Sequence, residues 1–246
     1  MINYGDALIA GWYGKIPAIG DFTSRRLPRY FIDLWDNWLQ HSIVASRKQL
    51  KENWLDSYLT APIWHFVLMP GVCENKIWTG ILMPSVDNVG RYFPLTIALE
   101  IEPNTNAMLT AFSAQTWHAD IETLALSALD INIFPENLDQ GLNQLVFPYQ
   151  DLQVESTCIS KLATWWQLES SSAKTNTHKV LSLPAENTIT EQMNLTAAEL
   201  LFAFGSNKSI WWRIKTETAK AQTNCYTGLP PEDIFSTFLD SSAIQE

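Results

Sequence analysis

The sequence predicts an α/β fold, built as one domain over residues 1–246 around a mixed central β-sheet with helices on both faces. Three observations predict it. Stretches with helical spacing alternate with strand-like stretches along the chain. Residues 63–69 (Ile-Trp-His-Phe-Val-Leu-Met) are almost continuously apolar, as a strand buried on both faces must be. The short link Pro70-Gly71 to Glu74-Asn75 reads as a hairpin turn, which places at least one antiparallel pair in the sheet.

The elements follow in order. Residues 7–13 form a short strand that feeds a Gly- and Pro-rich loop. Residues 29–49 are helical: Phe31, Leu34, Trp35, Trp38 and Leu39 recur at three- and four-residue spacing, with Asp33, Asp36, Asn37 and Gln40 opposite. Pro28 suits the first turn, where its missing N–H costs nothing. Leu50, Trp54, Leu55 and Tyr58 continue the pattern until Pro62, whose ring disfavours helical angles in the residue before it. Strands are expected at 63–69, 76–83 and 95–101, and a helix at 112–129 through Trp117, Ile121, Leu124, Leu126 and Leu129. Residues 169–177 are a polar loop. Late strands fall at 179–183, 209–215 and 222–227. A closing helix from Pro230 or Pro231 buries Ile234, Phe235, Phe238 and Leu239.

Composition narrows the function. A formal net charge of -10 argues against nucleic acid, because phosphate binding needs a basic face. Cys73, Cys158 and Cys225 are odd in number and far apart, a poor disulfide framework with no close metal pair, so reduced thiols in the cytosol are expected. The amino terminus lacks a basic region and a signal core, and no apolar run reaches about 18 residues. A cytoplasmic protein without a membrane span is expected.

Two dense runs hold the unusual residues. One is Gly11-Trp12-Tyr13-Gly14-Lys15-Ile16-Pro17 through Gly20-Asp21-Phe22 to Ser24-Arg25-Arg26-Leu27-Pro28. The other runs from Pro62-Ile63-Trp64 through Trp78 to Met83-Pro84-Ser85-Val86-Asp87-Asn88-Val89-Gly90-Arg91-Tyr92-Phe93-Pro94. Glycine and proline set among aromatics and a few charges build rigid turns of the kind that present groups to ligands or partners.

Catalytic motifs are weak. Ser85 follows Pro84 and precedes Val86-Asp87-Asn88, which is no nucleophile elbow. His41, His65, His118 and His178 are scattered, and none shares a motif with Ser85. Capping or turn closure explains Ser85 and Asp87 better. Gly11-x-x-Gly14-Lys15 lacks both the spacing and the Ser/Thr of a phosphate loop. No zinc, EF-hand or other metal spacing occurs, and no cofactor is expected. Arg91 is either an internal latch on Asp87 or an anchor facing a partner, since its planar fork suits both uses. Adjacent Trp211 and Trp212 point to opposite faces of a strand, so one of them could be exposed.

The two runs resemble the TagF (also called ImpM) family of type VI secretion-associated proteins. The likeness includes Trp35-Asp36-Asn37-Trp38-Leu39-Gln40, and near the end Ser209-Ile210-Trp211-Trp212 and Gly228-Leu229-Pro230-Pro231-Glu232. It is strongest over about residues 8–101 and thin over about 103–208; the family's usual glycine after the Trp-Trp pair is not evident, and Arg213-Ile214-Lys215 follows instead. The resemblance implies a three-layer α/β/α sandwich and a non-enzymatic negative regulator of type VI secretion that binds the system's forkhead-associated scaffold protein. Candidate interaction or loop-organising residues are Lys15, Asp21, Arg25, Arg26, Ser85, Asp87, Arg91, Trp211 and Trp212. The alternative is a hydrolase or ligand-sensing domain that gathers Asp21, Ser85, Asp87 and Arg91 in one pocket.

Overall fold

A computed structural model describes residues 8–149, 189–216 and 220–240. The strand expected at 179–183, the polar loop at 169–177 and Cys158 lie outside these residues.

The chain opens with β1 (Gly11–Gly14) and β2 (Thr23–Arg25), then α1 (Arg29–Leu50) and, after one 3-10 turn, α2 (Trp54–Leu59). Three strands follow: β3 (Trp64–Leu68), β4 (Ile77–Met83) and β5 (Leu95–Ile101). Next come α3 (Thr105–Ser113), α4 (Gln115–Ser127), α5 (Pro135–Gln144) and α6 (Ile189–Phe204). The hairpin of β6 (Lys208–Arg213) and β7 (Gln222–Thr227) precedes a last short helix, α7 (Phe235–Leu239).

Among the described residues the strands form one sheet of seven in the order β2-β1-β5-β4-β3-β6-β7. Every neighbouring pair is antiparallel, so the sheet is not the mixed one expected. A helix between two strands forces a parallel pair only when those strands end up side by side. Here β2 and β3 are separated by β1, β5 and β4, and β5 and β6 by β4 and β3. The helical excursions therefore change the position of the chain in the sheet without creating parallel neighbours.

The central strands β3 and β4 are buried at every position. Along β3, Trp64, Phe66 and Leu68 pack into one apolar cluster, while Val67 packs into a second. Along β4, Trp78 and Leu82 join the first cluster, and Ile77, Ile81 and Met83 the second. That alternation is the strand period of two, with apolar cover on both sides.

On the first face lie Phe31, Trp35, Trp38 and Leu39 of α1, with Phe235, Phe238 and Leu239 of α7. Trp35 stacks on Trp211 at 5.8 Å between centroids, and its indole N–H donates to Thr96 Oγ1 at 2.8 Å. Room for these rings comes from Gly80 and Ala98, which sit opposite each other on β4 and β5. The indoles of Trp38 and Trp64 donate to the carbonyls of Pro230 and Phe238 at 2.8 and 2.9 Å, which seats α7 and the segment before it. Burying each such side chain contributes roughly 1.5–3 kcal/mol, and each paired N–H about 1 kcal/mol.

On the second face, Met108, Trp117 and Ile121 cover Trp12, Val67, Ile81 and Ile97. The helix expected at 112–129 divides at Ala114 (φ -73, ψ 51) into α3 and α4. Asn104 starts α3 by accepting the N–H of Ala107 at 2.8 Å.

Candidate functional site

The Gly-rich run and the block between β4 and β5 meet beside the end of β1. Gly14 closes that strand at φ +141, and a Cβ there would lie 2.2 Å from the carbonyl oxygen of Pro94. Only glycine lets the two loops lie this close.

At their junction Asp87 is buried, and its carboxylate receives four donors. Lys15 Nζ and Arg91 Nε each lie 2.7 Å from Oδ2, and the backbone N–H groups of Arg91 and Val89 lie 2.8 and 3.1 Å from Oδ1. Burial alone would raise the carboxyl pKa. The bonds from Lys15, Arg91 and Val89 outweigh it and hold Asp87 well below the usual carboxylate range. Lys15 is itself buried, with its ammonium 4.7 Å from the centroid of the Phe22 ring. Arg91 is different: its side chain is 57% exposed, and it also donates through Nη2 to the carbonyl of Gly20. The N–H of Asn88 reaches Ile19 O at 3.2 Å, so the two loops are joined at backbone as well.

Ser85 sits behind the junction. Its hydroxyl donates to the carbonyl of Lys15 at 2.6 Å, while its backbone N–H and C=O both bond the hydroxyl of Tyr58 at 3.1 and 2.9 Å. The serine proton is therefore committed to a carbonyl rather than to a base. Nearby, an apolar cavity of ≈ 10 Å³ lies between Tyr58, Trp64, Pro84 and Phe238. That is about the space one water needs.

Around this junction Tyr13, Phe22 and Phe93 make an aromatic triad, with Phe22 stacked 5.9 Å from Tyr13 and edge-on 4.8 Å from Phe93. The Tyr13 hydroxyl donates to Asp36 Oδ1 at 2.5 Å, fixing the loop to α1, and both burial and Asp36 push its pKa up. The outward surface carries Phe22 (43% exposed), Val89 (67% exposed) and the Arg91 guanidinium.

The remaining candidates lie elsewhere or in other roles. Asp21 is exposed and accepts the N–H of Phe22, without joining the Asp87 cluster. Arg25 is exposed at the end of the edge strand β2 and bonds the carbonyl of Ser24. Arg26, at φ 59, donates to Ala10 O and pairs with Asp139 of α5 at 2.7 Å, a tie within the fold. Trp211 is buried, and Trp212 is half-buried on the opposite face against His65. Lys15, Ser85, Asp87 and Arg91 thus come together, whereas Asp21, Arg25, Arg26 and the tryptophan pair do not. Sequence reasoning missed Tyr58, which looks like any apolar helix residue, and the exposed Phe22 and Val89. An apolar residue inside a Gly/Pro turn was their available signal.

Among the described residues no group of three or more His, Cys, Asp or Glu side chains could hold a metal ion.

The family model of the TagF N-terminal domain, described as type VI secretion system-associated, matches residues 11–145. This chain is similar to the crystal structure of PA0076 from Pseudomonas aeruginosa PAO1 at 2.05 Å resolution. It shares 30% sequence identity at a TM-score of 0.71, covering 96% of each chain. No curated protein matches this chain.

Proposed function

The chain belongs to the TagF family of type VI secretion-associated proteins, and on that premise we propose that it is a non-enzymatic cytoplasmic brake on secretion. It acts after translation by binding a component of the system. The forkhead-associated scaffold protein is the partner that the family resemblance implies. The helices against both sheet faces suit the three-layer α/β/α sandwich of that reading. No helix among the described residues is long and apolar enough to cross a membrane.

One observation carries the proposal. Lys15, Ser85 and Asp87 are bound up in joining two loops, and the joined loops present Phe22, Val89 and Arg91 outward. An arginine flanked by exposed apolar side chains on a rigid base has the character of an interface hot spot. It also keeps its ordering cost low, because the loops are set before binding. The Ser85 and Asp87 ties favour this reading over a hydrolase or ligand sensor, which would need those groups aimed into a cleft.

A stoichiometric binder withholds its target only when its concentration exceeds both the dissociation constant and the target's own level. Deletion should therefore raise secretion, and graded overproduction should suppress it in proportion to dose. Arg91→Ala and Val89→Asp should relieve repression while leaving the circular dichroism spectrum of the purified protein unchanged. Secretion indifferent to both deletion and overproduction refutes the brake, and repression at levels far below the target's refutes stoichiometric binding.

A further inference from the structure

On the sheet face opposite α1, two histidines meet between strand and helix. His65 belongs to β3 and His118 to α4; their ring centroids are 5.4 Å apart with planes almost perpendicular. Both residues are buried, 2% and 4% exposed. Trp212 of β6 stacks on His65 and meets His118 edge-on, while Trp117 flanks His118 on α4.

The hydrogen bonds define the proton on His118. Its Nδ1 lies 2.9 Å from the carbonyl of Ala114, which only accepts, so Nδ1 carries hydrogen. Its Nε2 then offers a lone pair to the hydroxyl of Thr79, 3.0 Å away on β4. The ring is satisfied as a neutral imidazole. A proton on Nε2 would make Thr79 the acceptor and turn the threonine hydrogen to the Phe66 carbonyl, 3.2 Å away. Hydrogen bonding survives that exchange, but the new charge has no counter-ion. Among the described residues, the titratable groups facing the pair are the two histidines and Glu122 of α4. Glu122 lies 3.2 Å from His65 Nε2. Thr79 from β4, Trp212 from β6 and Phe112 from α3, which packs on Trp212, bring no charge.

We propose that His65 and His118 form an acid-sensitive clasp holding α4 on the sheet: a proton added to His118, which faces His65 and has no carboxylate beside it, opens the clasp. Opening uncovers Trp117, Ile121 and Ala125 of α4 and the strand residues beneath them. Among the described residues the layer under α1 has no buried histidine, and it stays closed.

The sign follows from proton affinities. Burial, and secondarily the neighbouring His65, lower His118 from its ordinary 6.5 to about 4. The opened chain then binds more protons than the closed one as pH falls from about 6.5 to 4, and acid favours opening. At pH 5 the two affinities favour opening by about thirtyfold relative to pH 7.5.

The test is hydrogen exchange of the full chain at pH 7.5 and 5.0, corrected for the intrinsic exchange rate. Peptides from α4 should open about thirtyfold more often at pH 5.0, while α1 peptides change far less, and His118→Gln should remove the α4 effect. If that variant fails to fold, the C2 proton of His118 in the wild-type protein gives the answer by NMR. It should stay at its neutral shift down to pH 5. Equal α4 protection at both pH values, a His118 midpoint near 6.5, or an unchanged acid response in His118→Gln would each overturn the clasp.

Discussion

Replacing Asp87 by Asn keeps the shape of the side chain and removes the charge that joins the two loops. In the native protein the carboxylate is shut away from solvent and receives Lys15, Arg91 and two backbone N–H groups. The variant leaves the Lys15 ammonium, 4% exposed, with no counter-ion at hydrogen-bond distance. Breaking a buried pair in this way costs about 3–5 kcal/mol. In a chain of 246 residues, each kcal/mol lowers the melting temperature by roughly 2–4 °C, so a fall of about 10 °C is expected. Arg91→Ala should cost less than about 1 kcal/mol, because its guanidinium is more than half exposed and Asp87 keeps Lys15. Thermal melts at pH 7 give the order Asp87→Asn, then Lys15→Met, then Arg91→Ala, from most to least destabilised. The pH dependence checks the cause. The Asp87 pKa is held below its ordinary 3.8, so its contribution is complete above that value and fades as pH falls through the native one. The gap between wild type and Asp87→Asn should be flat from pH 5 to 7 and close in stronger acid. A normal melt for Asp87→Asn, or an Arg91→Ala loss as large, would refute the reasoning.

Two further perturbations test the fold. A methyl group on Gly80 would lie 2.0 Å from the carbonyl oxygen of Ile97, so Gly80→Ala should destabilise by at least about 1–3 kcal/mol in urea unfolding; wild-type stability would mean that β4 and β5 are not in this register. Cys73 is 3% exposed and burial pushes its thiol up to about 12, whereas Cys225 is exposed. A thiol reagent followed by peptide mass spectrometry should label Cys225 in the native protein and Cys73 only on unfolding; equal rates would refute the burial of Cys73.

Much of the fold was legible because its signals are local. The apolar run of β3 and the aromatic spacing of α1 are set by burial, and the observed elements fall within a residue of those expected. Strand direction was not legible. It depends on which strands become neighbours, and the pairing of His65 with Trp212 joins residues far apart in sequence. The helices at 105–113, 135–144 and 189–204 escaped notice for a different reason. Their short or weakly patterned segments gain much of their order from packing against the sheet layer. At the site, Asp87 and Arg91 were readable as a pair because they lie four positions apart. Lys15 was not, since its ammonium is matched to Asp87 only after β1 and β5 bring the two loops together. The role of Tyr58 was invisible, because a tyrosine on an amphipathic helix looks like core until its hydroxyl partner is known.

The order of strands has a consequence for synthesis. β3 is central in the finished sheet, yet one of its two partners, β6, begins at Lys208, 140 positions after Leu68 (208 − 68). At ribosomal rates of roughly 5–20 residues per second, that flank stays open for on the order of ten seconds. A nascent chain at that stage displays Trp64, Phe66 and Leu68 beside unpaired backbone groups, a template for another copy on the same message. The β6–β7 hairpin therefore closes, late in synthesis, a flank of β3 that the earlier strands leave open. Truncation before Lys208 should yield insoluble protein rather than a smaller stable one.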